Sequence, residues 1–93
     1  SDQITRLIIP VRIARGSDSN KVSALLLEIA KNNPMVLRDP EPAALFLEFG
    51  SNALNFELRV FVGQISDRVK LTHQLHLEIN RSFAEEGIDL VSP

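Results

Sequence analysis

Apolar side chains occupy every second position of the nine residues from Leu54 to Val62. Successive side chains of a β-strand point to opposite faces of a sheet, so this segment predicts a strand with one face in the core. A second apolar segment, Ala43–Phe49, precedes it across Gly50–Ala53. Glycine and asparagine in that connection accept the positive φ angles of tight turns, so the two segments predict a β-hairpin. The predicted core positions of the second strand are Leu54, Phe56, Leu58, Val60 and Val62.

A strand and a helix are predicted before the hairpin. The strand covers residues 6–15, where apolar side chains again alternate. Pro10 has no N–H to donate, so this strand lies at a sheet edge, carries a bulge or turns that position away from its neighbour. The helix begins at about residue 20 and ends before Pro34, because proline disfavours a helical residue before it. Its predicted buried face is Val22, Leu25, Leu26 and Ile29, at helical spacing.

A second helix and a last strand are predicted after the hairpin. Asp67 is the predicted cap of a helix that runs to about Glu86, and Gly87 supplies the left-handed residue that closes it. Residues 88–91 predict a short final strand. The order βαββαβ predicts an α+β, ferredoxin-like fold, with two helices on one face of a four-stranded antiparallel sheet. The predicted buried stripe of the second helix is Leu71, Leu75, Ile79 and Phe83.

Five apolar residues lie out of phase with these core positions. They are Ile8, Pro10, Phe46 and Phe61 on the strands and Leu77 on the second helix. We expect them to be at least partly exposed in an isolated domain. A single exposed apolar residue is ordinary. Together, however, they favour a contact surface between domains or subunits.

No catalytic, cofactor or metal site is predicted. His73 and His76 are three residues apart on the second helix, which is the minimum for a metal pair, but Glu78 falls on a different face. Asp39 and Glu41 lie between prolines, where a solvated pair is a better interpretation than an acid and base couple. The chain has no cysteine, so thiolate chemistry is absent. We therefore expect a protein that is not an enzyme.

Charge and hydropathy exclude other classes. The net charge is −2 with acids and bases interspersed, which disfavours binding to a nucleic-acid backbone. An RNA-binding module of the same strand order would need a basic and aromatic signature that residues 54–62 lack. A small-molecule-binding regulatory module remains an alternative. No apolar run long enough to cross a bilayer is present, and the abrupt start without methionine suggests a domain of a larger protein.

Three stretches resemble the C-terminal cytoplasmic domain of the small-conductance mechanosensitive channel (MscS) family: Arg38–Pro42, Phe49–Val60 and Phe83–Ile88. Residues 1–5 look like the end of the linker from that family's middle β-domain, and residues 6–93 like the C-terminal domain. The turn at residues 14–18 and the end at residues 90–93 depart from the common family pattern. The chain as a whole resembles the larger, multi-span members related to the potassium-efflux-associated channel. The matching positions expected to be structural are Asp39, Pro40, Pro42, Gly50, Asn55, Phe56, Arg59 and Gly87.

The resemblance implies a homo-oligomeric channel, usually a heptamer, in the bacterial inner membrane. Such a channel opens under membrane tension and releases ions and osmolytes after hypo-osmotic shock. This domain would lie on the cytoplasmic side, in the wall of a vestibule, with other copies of the same chain as its partners. Membrane contact would come from transmembrane helices outside this sequence, and neither a cofactor nor a nucleic acid is implied.

Overall fold

Two helices pack against one face of a three-stranded antiparallel sheet in the computed structural model, which describes residues 3–92. Strand β3 lies between β1 and β2, and the predicted α+β class is confirmed. A short 3-10 helix at Ile65–Asp67 precedes the second α-helix. The elements follow in the order β1 (Thr5–Ala14), α1 (Ser19–Lys31), β2 (Ala43–Phe49), β3 (Ala53–Val62) and α2 (Arg68–Glu85).

The central strand β3 has the predicted alternation. Its five core positions are at most 6% exposed, and the residues between them are half-buried on the opposite, outer sheet face. Strand β1 pairs with β3 over its whole length, from Thr5 opposite Val62 to Ala14 opposite Ala53. The two long strands therefore form one continuous antiparallel ladder. The inward residues of β1 are Leu7, Ile9, Val11 and Ile13, all of them buried.

Both helices bury the predicted stripes against this sheet. The carboxylate of Asp18 caps α1 by accepting hydrogen bonds from the backbone N–H groups of Asn20 and Lys21. Leu25 of α1 is only partly buried, although it packs against the core. The predicted stripe of α2 is confirmed, since all four of its members are at most 4% exposed.

The sequence predicted the C-terminal end of α2 correctly, but not its N-terminal cap. Gly87 has φ +70°, and the N–H of Ile88 donates to the carbonyl of Phe83 at 2.9 Å, as in a Schellman motif. The prediction for Asp67 is wrong, because its side chain accepts no capping hydrogen bond. The preceding 3-10 turn already gives Asp67 helical φ and ψ angles, whereas a capping side chain needs an extended backbone.

The predicted fourth strand does not form within the described residues. Residues 88–91 make one isolated antiparallel bridge, between Leu90 and Ile13. Two backbone hydrogen bonds of 3.0 Å flank this bridge, from Ala14 N–H to Asp89 and from Val91 N–H to Arg12. The next residue of β1 whose backbone points toward this edge is Pro10. Proline has no N–H to donate, so regular pairing cannot continue past it.

Pro10 therefore lies at a sheet edge, which was one of the three alternatives for it. The backbone groups of Arg12 and Ala14 point away from β3 toward residues 89–91. Position 10 is two residues before Arg12, so its backbone groups also point away from β3. Its missing N–H therefore removes no hydrogen bond between β1 and β3.

The prediction that Phe46 lies out of phase with the core is wrong. Phe46 pairs with Phe56 and shares its side of the sheet, facing the helix layer, while Leu45 pairs with Glu57 on the outer face. Strand β2 is apolar at nearly every position, so its own pattern does not specify a face. The register instead depends on the hairpin and on a β-bulge between Phe46 and Glu48.

Candidate interaction surfaces

The outer sheet face brings together three of the predicted contact residues. Ile8 and Pro10 are exposed on β1, and Phe61 is half-buried on β3. Ile8 lies opposite Arg59, and Pro10 lies opposite Glu57. Within residues 3–92 no helix covers this face, so it presents apolar and charged side chains side by side.

Charged and amide side chains form a row across one end of the outer sheet face. Arg12 of β1 and Glu48 of β2 both lie opposite Asn55 of the central strand. The Asn55 amide Nδ2 donates to Glu48 Oε1 at 3.3 Å. Arg12 Nε and Asn55 Oδ1 are buried and have no hydrogen-bond partner among residues 3–92. These two atoms could each still form a hydrogen bond. Leaving a buried polar atom without a partner is energetically costly.

A second ionic contact lies further along the same face. Arg59 Nε donates to Glu57 Oε2 at 2.5 Å, and the Glu57 side chain is only 15% exposed. These two residues are two apart on β3, so their side chains share the outer sheet face. The Glu57 carboxylate is therefore paired with a cation of its own strand.

Besides Phe46, the exposed edge of β2 carries two apolar residues that were not predicted to be contact residues. Leu47 is 50% exposed and Phe49 is 71% exposed. Phe46 packs edge-on against Phe49, with ring centroids 5.0 Å apart, and stacks on the buried Phe56. An aromatic series thus runs from the core to the surface. The high apolar content of residues 43–49, with no alternation, was the signal that one edge would stay partly uncovered.

Leu77 lies on a separate surface, on the exposed side of α2, where it is 58% exposed. Val69 near the start of the helix and Ile65 in the preceding 3-10 turn are also exposed. His73 and His76 lie on exposed positions of the same helix. Leu77 is therefore not joined to the outer sheet face, and the five predicted contact residues belong to three surfaces.

The positions of the family motif do not converge on one site. Asp39, Pro40 and Pro42 lie in the loop between α1 and β2, and this loop is tied to β3 by the bond from Leu37 N–H to the Phe61 carbonyl at 2.9 Å. The remaining positions serve the hairpin turn, the core, the outer sheet face and the end of α2: Gly50, Phe56, Asn55 with Arg59, and Gly87.

The turn between β2 and β3 leaves little room for a side chain at Gly50. Its N–H donates to the Ala53 carbonyl at 2.7 Å. A Cβ atom at this position would lie 3.2 Å from the Ala53 oxygen and 3.4 Å from Asn55 Nδ2. Glycine therefore permits the close approach of Asn55 over the turn.

Titratable groups of α2 form a surface network. Arg81 Nη1 lies 2.6 Å from Glu85 Oε2, and Arg81 Nε donates to Glu78 Oε1 at 2.8 Å. The hydrogen bond from Arg81 lowers the pKa of Glu78. Within residues 3–92 no three His, Cys, Asp or Glu side chains are grouped to hold a metal ion. Neither helix of this part of the chain combines the length and apolar character needed to cross a bilayer.

The surface cavities formed by residues 3–92 include one with charged residues in its lining and one that is mostly apolar. One of about 460 Å³ lies between the end of α1 and the proline loop, and its lining includes Lys31, Arg38 and Glu41. The other, of about 540 Å³, is mostly apolar and lies between the free edge of β1, α2 and residues 90–91. We call the second cavity the β1 groove. Its lining includes Pro10, Arg12, His76, Ile79, Leu90 and Val91.

Comparison with known proteins gives a consistent family. The family model for the C-terminal region of the mechanosensitive ion channel MscS matches residues 7–90. An uncharacterized MscS family protein of Haemophilus influenzae is 49% identical over 90 residues, covering 97% of this chain and 8% of that protein. The mechanosensitive channel MscK of Escherichia coli is 41% identical over 68 residues, covering 73% of this chain and 6% of that protein. The chain thus spans less than a tenth of these relatives.

Solved structures share the fold. Helicobacter pylori MscS in its closed state matches with a TM-score of 0.86 at 20% identity, over 96% of this chain and 35% of that one. Arabidopsis thaliana MSL1 with the A320V substitution matches with a TM-score of 0.83 at 11% identity, over 98% of this chain and 36% of that one. The MscK match is consistent with the resemblance to the larger potassium-efflux-associated members. The chain belongs to the MscS family of mechanosensitive channels and corresponds to its C-terminal domain.

Proposed function

We propose that this chain is the cytoplasmic vestibule and assembly domain of a tension-gated channel in the bacterial inner membrane. The parent protein would release ions and osmolytes after hypo-osmotic shock. The observation that carries this proposal is the match of residues 7–90, nearly the whole chain, to the C-terminal domain of a channel family. In this proposal the function of the domain is mechanical, because it forms part of a wall.

The described surfaces support an assembly role. The core is continuous from β1 to α2, while apolar residues remain exposed on the outer sheet face, on the β2 edge and on α2. We propose that Ile8, Pro10, Phe46, Phe61 and Leu77 contact neighbouring domains or other copies of the chain. We expect a ring, with seven copies in the full-length protein. Residues 1–5 would end the linker from the preceding domain, and residues 6–93 would form the wall.

The segment after α2 fits a finer proposal about the sheet. Residues 89–91 already make two backbone hydrogen bonds to the free edge of β1. We propose that this segment occupies the place of the fourth strand of a ferredoxin-like sheet in the assembled protein. Amide hydrogen exchange of Ala14 and Val91 tests this: both should be slower in the full-length assembly than in the isolated chain.

Patch recording tests the channel proposal directly. The full-length protein would be reconstituted in liposomes that contain no other channel, and suction would be applied to excised patches. We expect conductance that rises with membrane tension. As a matched control, a protein with the core substitution Phe56→Ala in this domain should show fewer active channels per patch, because the wall no longer folds stably. Absence of tension-evoked current from well-assembled protein would overturn the proposal.

One observation favours a second function, that of a small-molecule-binding regulatory module. Lys31 and Arg38 line the cavity of about 460 Å³ together with Glu41, and neither cation has an ion-pair partner among residues 3–92. Such a lining suits a small anionic or zwitterionic solute. A ligand present at a hundred times its dissociation constant would stabilise the fold by about 2.7 kcal/mol. A thermal-shift screen of amino acids and dicarboxylates tests it, with Arg38→Ala as the variant that should abolish any shift.

A further inference from the structure

One edge of the sheet projects apolar side chains, and the opposite edge borders an apolar cavity. The β2 edge projects Leu47 and Phe49, both at least half exposed. The opposite side of the domain has the apolar β1 groove, whose volume of about 540 Å³ lies within the usual range of about 300–1,000 Å³ for binding pockets. A projection on one side and a cavity on the other allow copies of the chain to associate head to tail.

The same two edges are complementary in charge. Residues 3–17 contain Arg6, Arg12 and Arg15 and no acidic residue, and they include all of β1. Residues 39–48 contain Asp39, Glu41 and Glu48 and no basic residue, and they include most of β2. The segment that contains β1 is thus basic and the segment that contains most of β2 is acidic, while Asp89 lies beside β1. Contact between unlike edges is attractive, whereas contact between like edges is repulsive.

The row through Asn55 supplies the specific polar pair. Arg12 and Glu48 lie at the same level of the sheet, since both face Asn55. Arg12 Nε is buried without a partner among the described residues. A carboxylate from the β2 edge of a second copy would reach the level of Arg12 when the two edges are aligned. The unused donor of Arg12 would then be satisfied.

Strand addition does not explain such a contact. Position 10 of β1 has no N–H on the outer edge, and the bulge between Phe46 and Glu48 disrupts the regular edge of β2. Both features are ways in which natural proteins block continuous pairing between sheets. Contact between the edges therefore depends on side chains rather than on a continuous hydrogen-bonded sheet.

We propose that the β2 edge of one copy docks into the β1 groove of the next. Phe49 and Leu47 pack against Leu90 and Ile79, and Glu48 pairs with Arg12. The interface is heterologous, and repetition of it gives a ring when the rotation between neighbouring copies closes. This inference rests on the proposed function, because it requires several copies of the chain in one assembly.

Engineered cysteines test the contact. The chain has no cysteine of its own. Leu47 and Leu90 are separated by three strand spacings, or about 14 Å, so a disulfide between them within one copy is excluded by the limit of about 7 Å between Cα atoms. The full-length protein, with any other cysteine replaced by serine, would carry Leu47→Cys and Leu90→Cys and be oxidised in membranes.

We expect the double variant to give a ladder of cross-linked species on a denaturing gel, and each single variant to stay monomeric. Dimers from either single variant would mean that like edges meet, which overturns the proposal. No cross-linking of a protein that still assembles and conducts under tension would also overturn it, while the channel function would stand. Absence of tension-evoked current from assembled wild-type protein would instead contradict the channel function.

A charge exchange provides a second test in the same cysteine background. Arg12→Glu and Glu48→Arg should each slow cross-linking about tenfold, and the variant with both changes should recover the original rate. Glu28→Arg makes the same change of charge as Glu48→Arg, but on α1 and outside either edge. It should leave the cross-linking rate unaltered. Equal slowing by Glu28→Arg, or no recovery in a double variant whose thermal unfolding is normal, contradicts the pairing of Arg12 with Glu48.

Discussion

Phe46 stacks on Phe56, with the two ring centroids 4.7 Å apart and the ring planes inclined by 20°. Phe56 is 2% exposed, Phe46 is 37% exposed and Phe49, which contacts Phe46, is 71% exposed. Three aromatic residues in contact thus have three different degrees of burial. Their contributions to the stability of the domain should therefore fall in the same order.

Substitution of each phenylalanine by alanine tests this order. Phe56→Ala should lower the free energy of unfolding by about 3–5 kcal/mol, because it leaves a cavity in the core. Phe46→Ala should lower it by about 1–2 kcal/mol, from lost area and a lost ring contact. Phe49→Ala is the matched control, with a change within about 0.5 kcal/mol. Urea unfolding of the isolated chain measures all three, and an unchanged midpoint for Phe56→Ala would contradict its core position.

Gly87 should not tolerate a side chain, although there is open space around it. Nothing lies within 4 Å of a Cβ built there, but φ is +70°. Gly87→Ala should lower the free energy of unfolding by about 1–2 kcal/mol, the cost of a left-handed residue with a Cβ. Gly63→Ala is the control, since only Leu37 Cδ2 approaches, at 4.0 Å, and φ is not in the left-handed region. Thermal unfolding that ranks the two variants equally would contradict the Schellman assignment.

Asn33 links the end of α1 to α2. Its Nδ2 donates to Gln74 Oε1 at 2.8 Å, and its Oδ1 accepts from the Met35 N–H at 2.9 Å. Asn33→Ala should cost about 1–3 kcal/mol, since both bonds are lost. Gln74→Ala should cost less because it removes one of them. A double-mutant cycle should give a coupling of at least about 0.5 kcal/mol, and additive effects would mean that the side chains do not interact.

Glu78 should titrate at lower pH than an ordinary glutamate. Its pKa is lowered chiefly by the hydrogen bond from Arg81. Because the folded-state pKa is below the unfolded-state value, the stabilisation is present above the unfolded-state pKa and is lost as pH falls through the folded-state pKa. NMR titration should show the pKa of Glu78 rising in Arg81→Ala. In Lys70→Ala, which removes a charge about 12 Å along the same helix, the pKa should not move.

Phe61 should affect assembly more than folding. Its side chain is half-buried on the outer sheet face, while its backbone carbonyl accepts from the Leu37 N–H. Phe61→Ser keeps that backbone bond, so the isolated chain should retain its fold by circular dichroism. The proposed ring of the full-length protein should be lost on a native gel. Thr72→Ser is a control with a small change on α2, and an intact ring in Phe61→Ser would contradict the contact role.

Boundaries that depend on glycine and proline were predictable from the sequence. The predicted bounds of β2 are those of the structure, and β3 differs by one residue, because Pro42 and Gly50 enclose β2. The buried stripe of α2 and the left-handed Gly87 followed from helical spacing and from the chemistry of helix ends. These features are local, so a single sequence contains them.

Features that depend on register were not predictable. The side of the sheet that Phe46 occupies is set by its pairing with Phe56, and a segment without alternation contains no information about that pairing. The last strand is reduced to a bridge at Leu90, because the neighbouring edge offers proline at the next position. The surface made by Leu47 and Phe49 follows from the same register. The candidate interfaces were thus only partly visible in the sequence.

The missing hydrogen on Pro10 interrupts the row of backbone groups to which another strand could bond at the edge of β1. In the proposed ring, the sheets of neighbouring copies would lie close to one another. A complete edge would act as a template on which the next chain could be added, and the product would be a fibre. A proline on one edge and a bulge on the other leave no continuous template. Contact between copies through side chains therefore does not lead to continuous growth of one sheet onto the next.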